Sequence, residues 1–230
     1  MNFKINISIE KKCAYKEFKK GMIKNPYDKT MCNVGFLGMT EECNKVFYDI
    51  WCHMIKRCYD PYELNKYPTY INCFVCEEWL NYSNFEKWCY ENYYKIENQK
   101  ICLDKDILYK GNKIYSPKNC CFVPERINLL FCKSNKTRGD YPIGVSKFAD
   151  KRNNRMKIKL RVYCDVYDKE KHKCIQKHLG YFPLNKPFQA FYKYKIFKEN
   201  YIKQVANEYK EIIPQKIYLA LYRWEVEIND

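Results

Sequence analysis

"CLDKDILYKGNKIYSPKNCCFVPERINLLF", residues 102–131, is the stretch on which the reading of this chain turns. Its apolar and turn-forming residues predict a strand over "ICLDKDIL" (101–108), a loop "YKGNKIYSPKN" (109–119), a strand "CCFVP" (120–124) and a helix opening at "ERINLLFCK" (125–133). In such a strand Asp104 and Asp106 stand two residues apart on one side, and two carboxylates there offer oxygen ligands to magnesium or manganese. Lys105, at the alternating position, is expected to point away from both. Asn119 in the loop and Asn128 on the helix complete the polar set. The stretch holds no histidine, and a carboxylate is a weaker base than imidazole at neutral pH unless burial raises its pKa.

Working outward toward the N-terminus, "NKVFYDIWCHMIKRCYD" carries Phe47, Ile50, Trp51, Met54, Ile55 and Cys58 at helical spacing and stops at Pro61. A second helix is expected from about Ser83, with Phe85, Trp88, Cys89 and Tyr93 on its buried side. Trp79, Trp88 and "YENYY" (90–94) read as helix packing. Residues 1–44 are polar and charged, with turn signals at "NPYD" and "VGFLG".

Toward the C-terminus the composition shifts. The chain carries 42 basic and 27 acidic residues, a formal charge of +15. Residues 1–132 hold 20 basic and 16 acidic side chains, residues 133–203 hold 19 and 6, and the remainder 3 and 5. A basic field concentrated in one segment attracts polyanions, because neutralised phosphates release condensed counterions. "RGDYPIG" marks a linker near residue 138. Beyond it, Met156, Ile158, Leu160 and Val162 alternate with Lys157, Lys159, Arg161 and Tyr163, which predicts a strand with one apolar and one cationic face. "CIQKHLGYF" reads as another strand. A helix follows from about Phe188 to Glu208, turning Phe191, Tyr194, Tyr201 and Val205 to the sheet, and a last short helix comes after Pro214.

The fold class expected is α+β: a helical N-terminal half with a ββα finger, then a small three-stranded antiparallel sheet packed on a helix. The divisions expected are an N-terminal segment (1–44), the finger with its supporting helices (45–137) and a nucleic-acid-binding module with a C-terminal helix (138–230).

Two family resemblances sharpen this. The 101–131 stretch resembles the ββα-metal finger of HNH-type nucleases. There a base at the end of the first strand activates water, a loop Asn holds it, and a helix residue helps bind one divalent metal. The resemblance implies catalytic roles for Asp104, Lys105 and Asn119 and a magnesium or manganese site at Asp104, Asp106 and Asn128. The chain departs from the pattern at "LDKDI", where HNH nucleases have Asp-His or His-His. Residues 139–208, through "PIGVSK" (142–147), "MKIKLRV" (156–162), "HLGYF" (178–182) and "AFYKYKIFKENYIKQVA" (190–206), resemble the Apetala-type (plant ethylene-response-factor type) DNA-binding domain. That implies contacts to double-stranded DNA from Lys147, Arg152, Arg155, Lys157, Lys159, Arg161 and Lys177.

With "NPYDKTMCNVGFLG" (25–38), the stretch 51–88 and "ALYRWEVEIND" (220–230), most of the chain resembles the HNH and Apetala-type homing-endonuclease-like proteins of bacteriophages of low-GC Firmicutes. The activity implied is metal-dependent phosphodiester hydrolysis in the cytoplasm of a bacterial host. The missing histidine keeps a second expectation open: a nuclease-dead DNA-binding regulator, or an inhibitor of a host defence system that handles nucleic acid, with a host protein or nucleoprotein as partner. A third is an RNA- or protein-binding module, which a salt-dependent preference for duplex DNA would separate from the others.

Other constellations carry less. The longest apolar run is the six-residue "IYLALY" (217–222), and no signal peptide is read, so neither a membrane partner nor export is expected. The 14 cysteines are then expected as free thiols. Cys73 and Cys76 have the spacing of half a zinc site, but no second C-x-x-C or C-x-x-H follows, so structural zinc is not expected. The histidines stand apart at 53, 172 and 178. His53 is expected in a core or interface, and His178 facing solvent or DNA.

Overall fold

The computed structural model describes residues 25–39, 43–132, 140–150, 157–171 and 173–230. The chain is α+β and divides into two compact units, Met1–Phe122 and Val123–Asp230. The division comes earlier than the linker expected near residue 138, so the short helix after the hairpin belongs to the second unit.

In the first unit, residues 25–39 run without helix, pinned by isolated bridges of Met31 to Gly35 and Phe36 to Asn81. Helix α1 (Lys45–Tyr59) starts where the Asn44 side chain accepts hydrogen bonds from the amides of Val46 and Phe47. It ends at Asp60, whose side chain caps α2 (Pro61–Lys66) through the amides of Tyr62 and Glu63, with Pro61 in the first turn where its missing N–H costs nothing. Strand β1 (Phe74–Val75) leads to a single turn, α3 (Glu77–Leu80), and α4 (Tyr82–Asn92), whose cap is Asn81. Helix α4 starts at Tyr82, one residue before the predicted Ser83, and buries Phe85 and Cys89 as expected.

The core between these helices is aromatic. Trp51, Trp79, Tyr82, Phe85 and Phe47 are all at most 2% exposed. Trp51 donates its indole N–H to the Trp79 carbonyl at 2.7 Å, and Trp79 meets Phe85 edge-on at 5.0 Å. Burying Phe47 and Phe85 contributes about 1.5–3 kcal/mol each. His53 is exposed, which corrects the expectation of a core histidine: its position on α1 falls outside the Phe47, Trp51, Met54, Ile55 and Cys58 stripe.

Strand β2 (Ile101–Asp104) pairs with β4 (Cys121–Pro124), as the predicted hairpin requires. The intervening loop contributes β3 (Ile114–Tyr115), which the sequence did not announce and which pairs in parallel with β1. The first strand is shorter than "ICLDKDIL", ending at Asp104.

The second unit opens with α5 (Glu125–Asn128) and one 3₁₀ turn (Leu129–Phe131), much less than the helix expected from 125. Strands β5 (Val145–Asp150), β6 (Lys157–Asp168) and β7 (Lys173–Phe182) form an antiparallel sheet in that order. Helix α6 (Pro187–Glu208) packs Ala190, Phe191 and Tyr194 against Val145, Leu160, Val162 and Cys164. Helix α7 (Gln215–Tyr222) follows Pro214. The last segment is tied to α6 at Val226, whose amide donates to Glu199 and whose carbonyl accepts from the Lys195 ammonium. Arg126 of α5 is held by Glu208 at 2.6 Å. Gly144 leads into β5 at φ +76°, with the Tyr194 ring so close that a Cβ would lie 2.1 Å from it.

Candidate nucleic-acid interface

Residues opposite each other in neighbouring strands share a face, so the register sorts every candidate contact residue. Leu160, Val162 and Cys164 of β6 are buried under α6, which turns Lys157, Lys159, Arg161 and Tyr163 to the other, open face. Lys159 pairs with Phe148 and Arg161 with Ser146 on β5, while Arg161 pairs with Tyr181 and Tyr163 with His178 on β7. The open face therefore carries Phe148, Tyr163, His178 and Tyr181 among its cations.

Two predicted contact residues do not join them. Lys147 lies opposite Leu160 and Lys177 opposite Cys164, both on the helix-covered side. The Lys177 ammonium stands over the Phe197 ring of α6, 5.1 Å from its centroid. The cause is a bulge between Val162 and Tyr163: Gly180 pairs with Val162 and His178 with Tyr163, so Leu179 is the extra residue on β7. Gly180 adopts φ +140°, a conformation that favours glycine. The extra residue shifts the phase of β7, bringing His178 to the open face and removing Lys177 from it. Arg152 and Arg155 lie outside the described residues, as do Met156 and His172.

On the open face the side chains interlock. Phe148 and Tyr181 stand on the two outer strands, yet their rings meet at 5.3 Å over β6, and Tyr181 meets His178 at 4.5 Å. The Arg161 guanidinium packs on Tyr163 at 5.0 Å and on Phe148 at 5.8 Å, and the Lys159 ammonium reaches the Tyr181 ring at 5.8 Å. Two polar atoms of this face, Arg161 Nε and Ser146 Oγ, are buried without a hydrogen-bond partner among the described residues. They belong to cross-strand neighbours.

The hairpin is organised by its turn. Asp104 Oδ1 accepts from the amides of Asp106 and Ile107, both at 2.7 Å, and this carboxylate-capped turn ends β2. The premise that Asp104 and Asp106 share one side of a strand therefore does not hold. Lys105 does not point away either: its buried ammonium donates to both Asp106 oxygens at 2.8 and 2.9 Å and to the Asn112 carbonyl at 2.7 Å. Asn112 is the hub that the sequence reading missed. Its amide group donates to the carbonyls of Lys105 and Ile114, and its Oδ1 accepts from Asn119 at 3.0 Å. Asn119 thus steadies the loop through Asn112. Asn128 ends α5 in the second unit.

Burial raises the Asp104 pKa above its usual 3.8, against the lowering effect of the two amides. Burial alone would lower that of Lys105, but its bonds to Asp106 raise it overall and keep the ammonium charged. In this arrangement the Asp106 carboxylate is paired with the Lys105 ammonium, while the Asp104 carboxylate is held by the amides of Asp106 and Ile107. Among the described residues no group of three His, Cys, Asp or Glu is placed to hold a metal ion. Cys73 lies buried with its thiol toward the Thr69 carbonyl, and the thiols of Cys58, Cys76 and Cys120 are pushed up by burial. No helix among the described residues is long and apolar enough to cross a membrane.

Compared with protein-family models, curated proteins and solved structures, the chain matches none.

Proposed function

We propose that this chain is a DNA-binding protein that grips its ligand with the open face of the β5–β6–β7 sheet. The observation that carries this reading is the row of Lys157, Lys159 and Arg161 at successive outward positions of β6. Like charges at such spacing repel, and a phosphate backbone beside them would relieve that repulsion, with Asp150 of β5 standing opposite Lys157 at one end of the row. The orphaned Arg161 Nε and Ser146 Oγ add to it, since buried polar atoms without partners cost free energy that a phosphate oxygen would recover for the arginine. The resemblance to Apetala-type domains points to the same face and to duplex DNA.

The hairpin serves, in this proposal, as an HNH-like scaffold. The Lys105–Asp106 pair and the amide-bound Asp104 favour the nuclease-dead form, a regulator or an inhibitor of a host system that handles nucleic acid. A second reading, metal-dependent cutting, draws on one observation. The Asp104 hydrogen bonds among the described residues all fall on Oδ1, and burial raises the basicity of this carboxylate. Cutting would also require Lys105 to release Asp106 to a cation.

Incubation of supercoiled DNA with purified protein, with magnesium or manganese against EDTA, separates these readings. Retardation of the DNA without nicking is the expected result. Metal-dependent nicking that Asp104→Asn abolishes would establish the cutting form, and absence of retardation at low salt would sink the DNA-binding proposal itself.

A further inference from the structure

We propose that the open face of the sheet prefers unpaired DNA, stacking bases on Tyr181, His178 and Phe148 while Lys159 and Arg161 hold the neighbouring phosphates. This rests on the DNA-binding reading and goes beyond it. The rings form one connected strip across all three strands, from Phe148 on β5 to Tyr181 and His178 on β7. Tyr181 is 45% exposed, and His178 is exposed beside it. A side chain of this size left open on a sheet face is a stacking platform when cations flank it, because every base has a π-face and every nucleotide a phosphate. A blunt duplex hides those π-faces and presents base edges in its grooves.

The distribution of charge agrees. Of the seven basic residues expected on the face, the described ones that reach it are Lys157, Lys159 and Arg161, whereas Lys147 and Lys177 lie on the helix side. Asp165 follows on the same face of β6 and bounds the basic patch. A short basic patch beside exposed rings suits a few splayed nucleotides better than a long duplex footprint.

The test measures binding of the full-length protein to labelled DNA of one sequence, presented as a single strand, a blunt duplex and a duplex with a short central bubble. The RNA version of the single strand is run alongside. The single strand and the bubble should bind about ten-fold or more tighter than the blunt duplex at equal salt. Tyr181→Ala should lower single-strand affinity by about 5- to 150-fold, the effect of losing one stacked base, with little change in salt dependence. Since Tyr181 is exposed, the variant is expected to fold; His178→Ala provides an independent second variant. Equal or tighter binding to blunt duplex, with Tyr181→Ala silent, would overturn the preference while leaving DNA binding in place. Tighter binding to RNA than to the DNA strand would overturn the choice of DNA. Binding to none of the probes would remove both proposals.

Discussion

Lys177 stands over Phe197 on the helix-covered side of the sheet, its ammonium 5.1 Å from the ring centroid, although it lies in a strand whose Tyr181 faces the other way. This separates it from Arg161, which packs between Phe148 and Tyr163 on the open face. Lys177→Ala should change DNA affinity by less than about two-fold, and Arg161→Ala should weaken it by about five-fold or more at the same salt. Titration of labelled DNA with each variant checks the contrast; equal losses would mean that the helix side also touches DNA.

Gly144 and Gly111 share φ +76°, but they differ in surroundings. A Cβ at Gly144 would lie 2.1 Å from the Tyr194 ring, whereas one at Gly111 meets nothing within 4 Å. Gly111→Ala should cost only the left-handed backbone strain, about 1–2 kcal/mol. Gly144→Ala adds a core clash and should cost about 2–5 kcal/mol in all. Denaturant unfolding of both variants decides it, and equal costs would argue against the close Tyr194 contact.

The Asp104 carboxyl has a folded pKa above its usual 3.8, chiefly through burial. Its contribution to stability is therefore fullest below about pH 3.8 and is lost as pH rises through the raised value. Asp104→Asn carries no charge and can still accept the amides of Asp106 and Ile107, so its stability at pH 7 should equal or exceed that of the unaltered protein. Asp104→Ala loses both bonds and should cost about 1–2 kcal/mol. Unfolding curves at pH 4 and pH 7 test both; a large loss in Asp104→Asn at neutral pH would show that the charge itself is needed.

Burial pushes the Cys58 thiol up to about 12 and that of Cys164 to about 11, from an ordinary 9.0. Cys89 and Cys120 move in the same direction. The unfolded chain then loses thiol protons at lower pH than the folded one, so the stability these groups contribute is intact below about pH 9 and drains away as pH rises toward 11–12. With reductant present, the unfolding midpoint should stay level up to about pH 9 and fall above it. A level profile to pH 11 would contradict the burial of these thiols.

Periodicity made much of the second unit legible. The alternation around Leu160 and Val162 located β6, and the spacing of Phe191, Tyr194, Tyr201 and Val205 located α6. The composition of the open face was not legible, because a single strand does not reveal its register and the bulge at Leu179 reverses the phase of β7. Counting back from Tyr181 by twos places Lys177 outside; the extra residue places it inside. At the hairpin, Asp104 and Asp106 imitate strand alternation, but the short side chain of Asp104 captures the next amides and turns the chain. Asn112, in a loop with no periodicity, gave no signal of its role.

The most direct test of the central claim is the salt dependence of DNA binding by the unaltered protein and by a Lys157→Ala, Lys159→Ala, Arg161→Ala triple variant. If the open face grips phosphates, the slope of log affinity against log salt should become shallower by about 2–3 in the variant, close to one for each lost contact. An unchanged slope and affinity would contradict the account, placing the DNA elsewhere on the molecule.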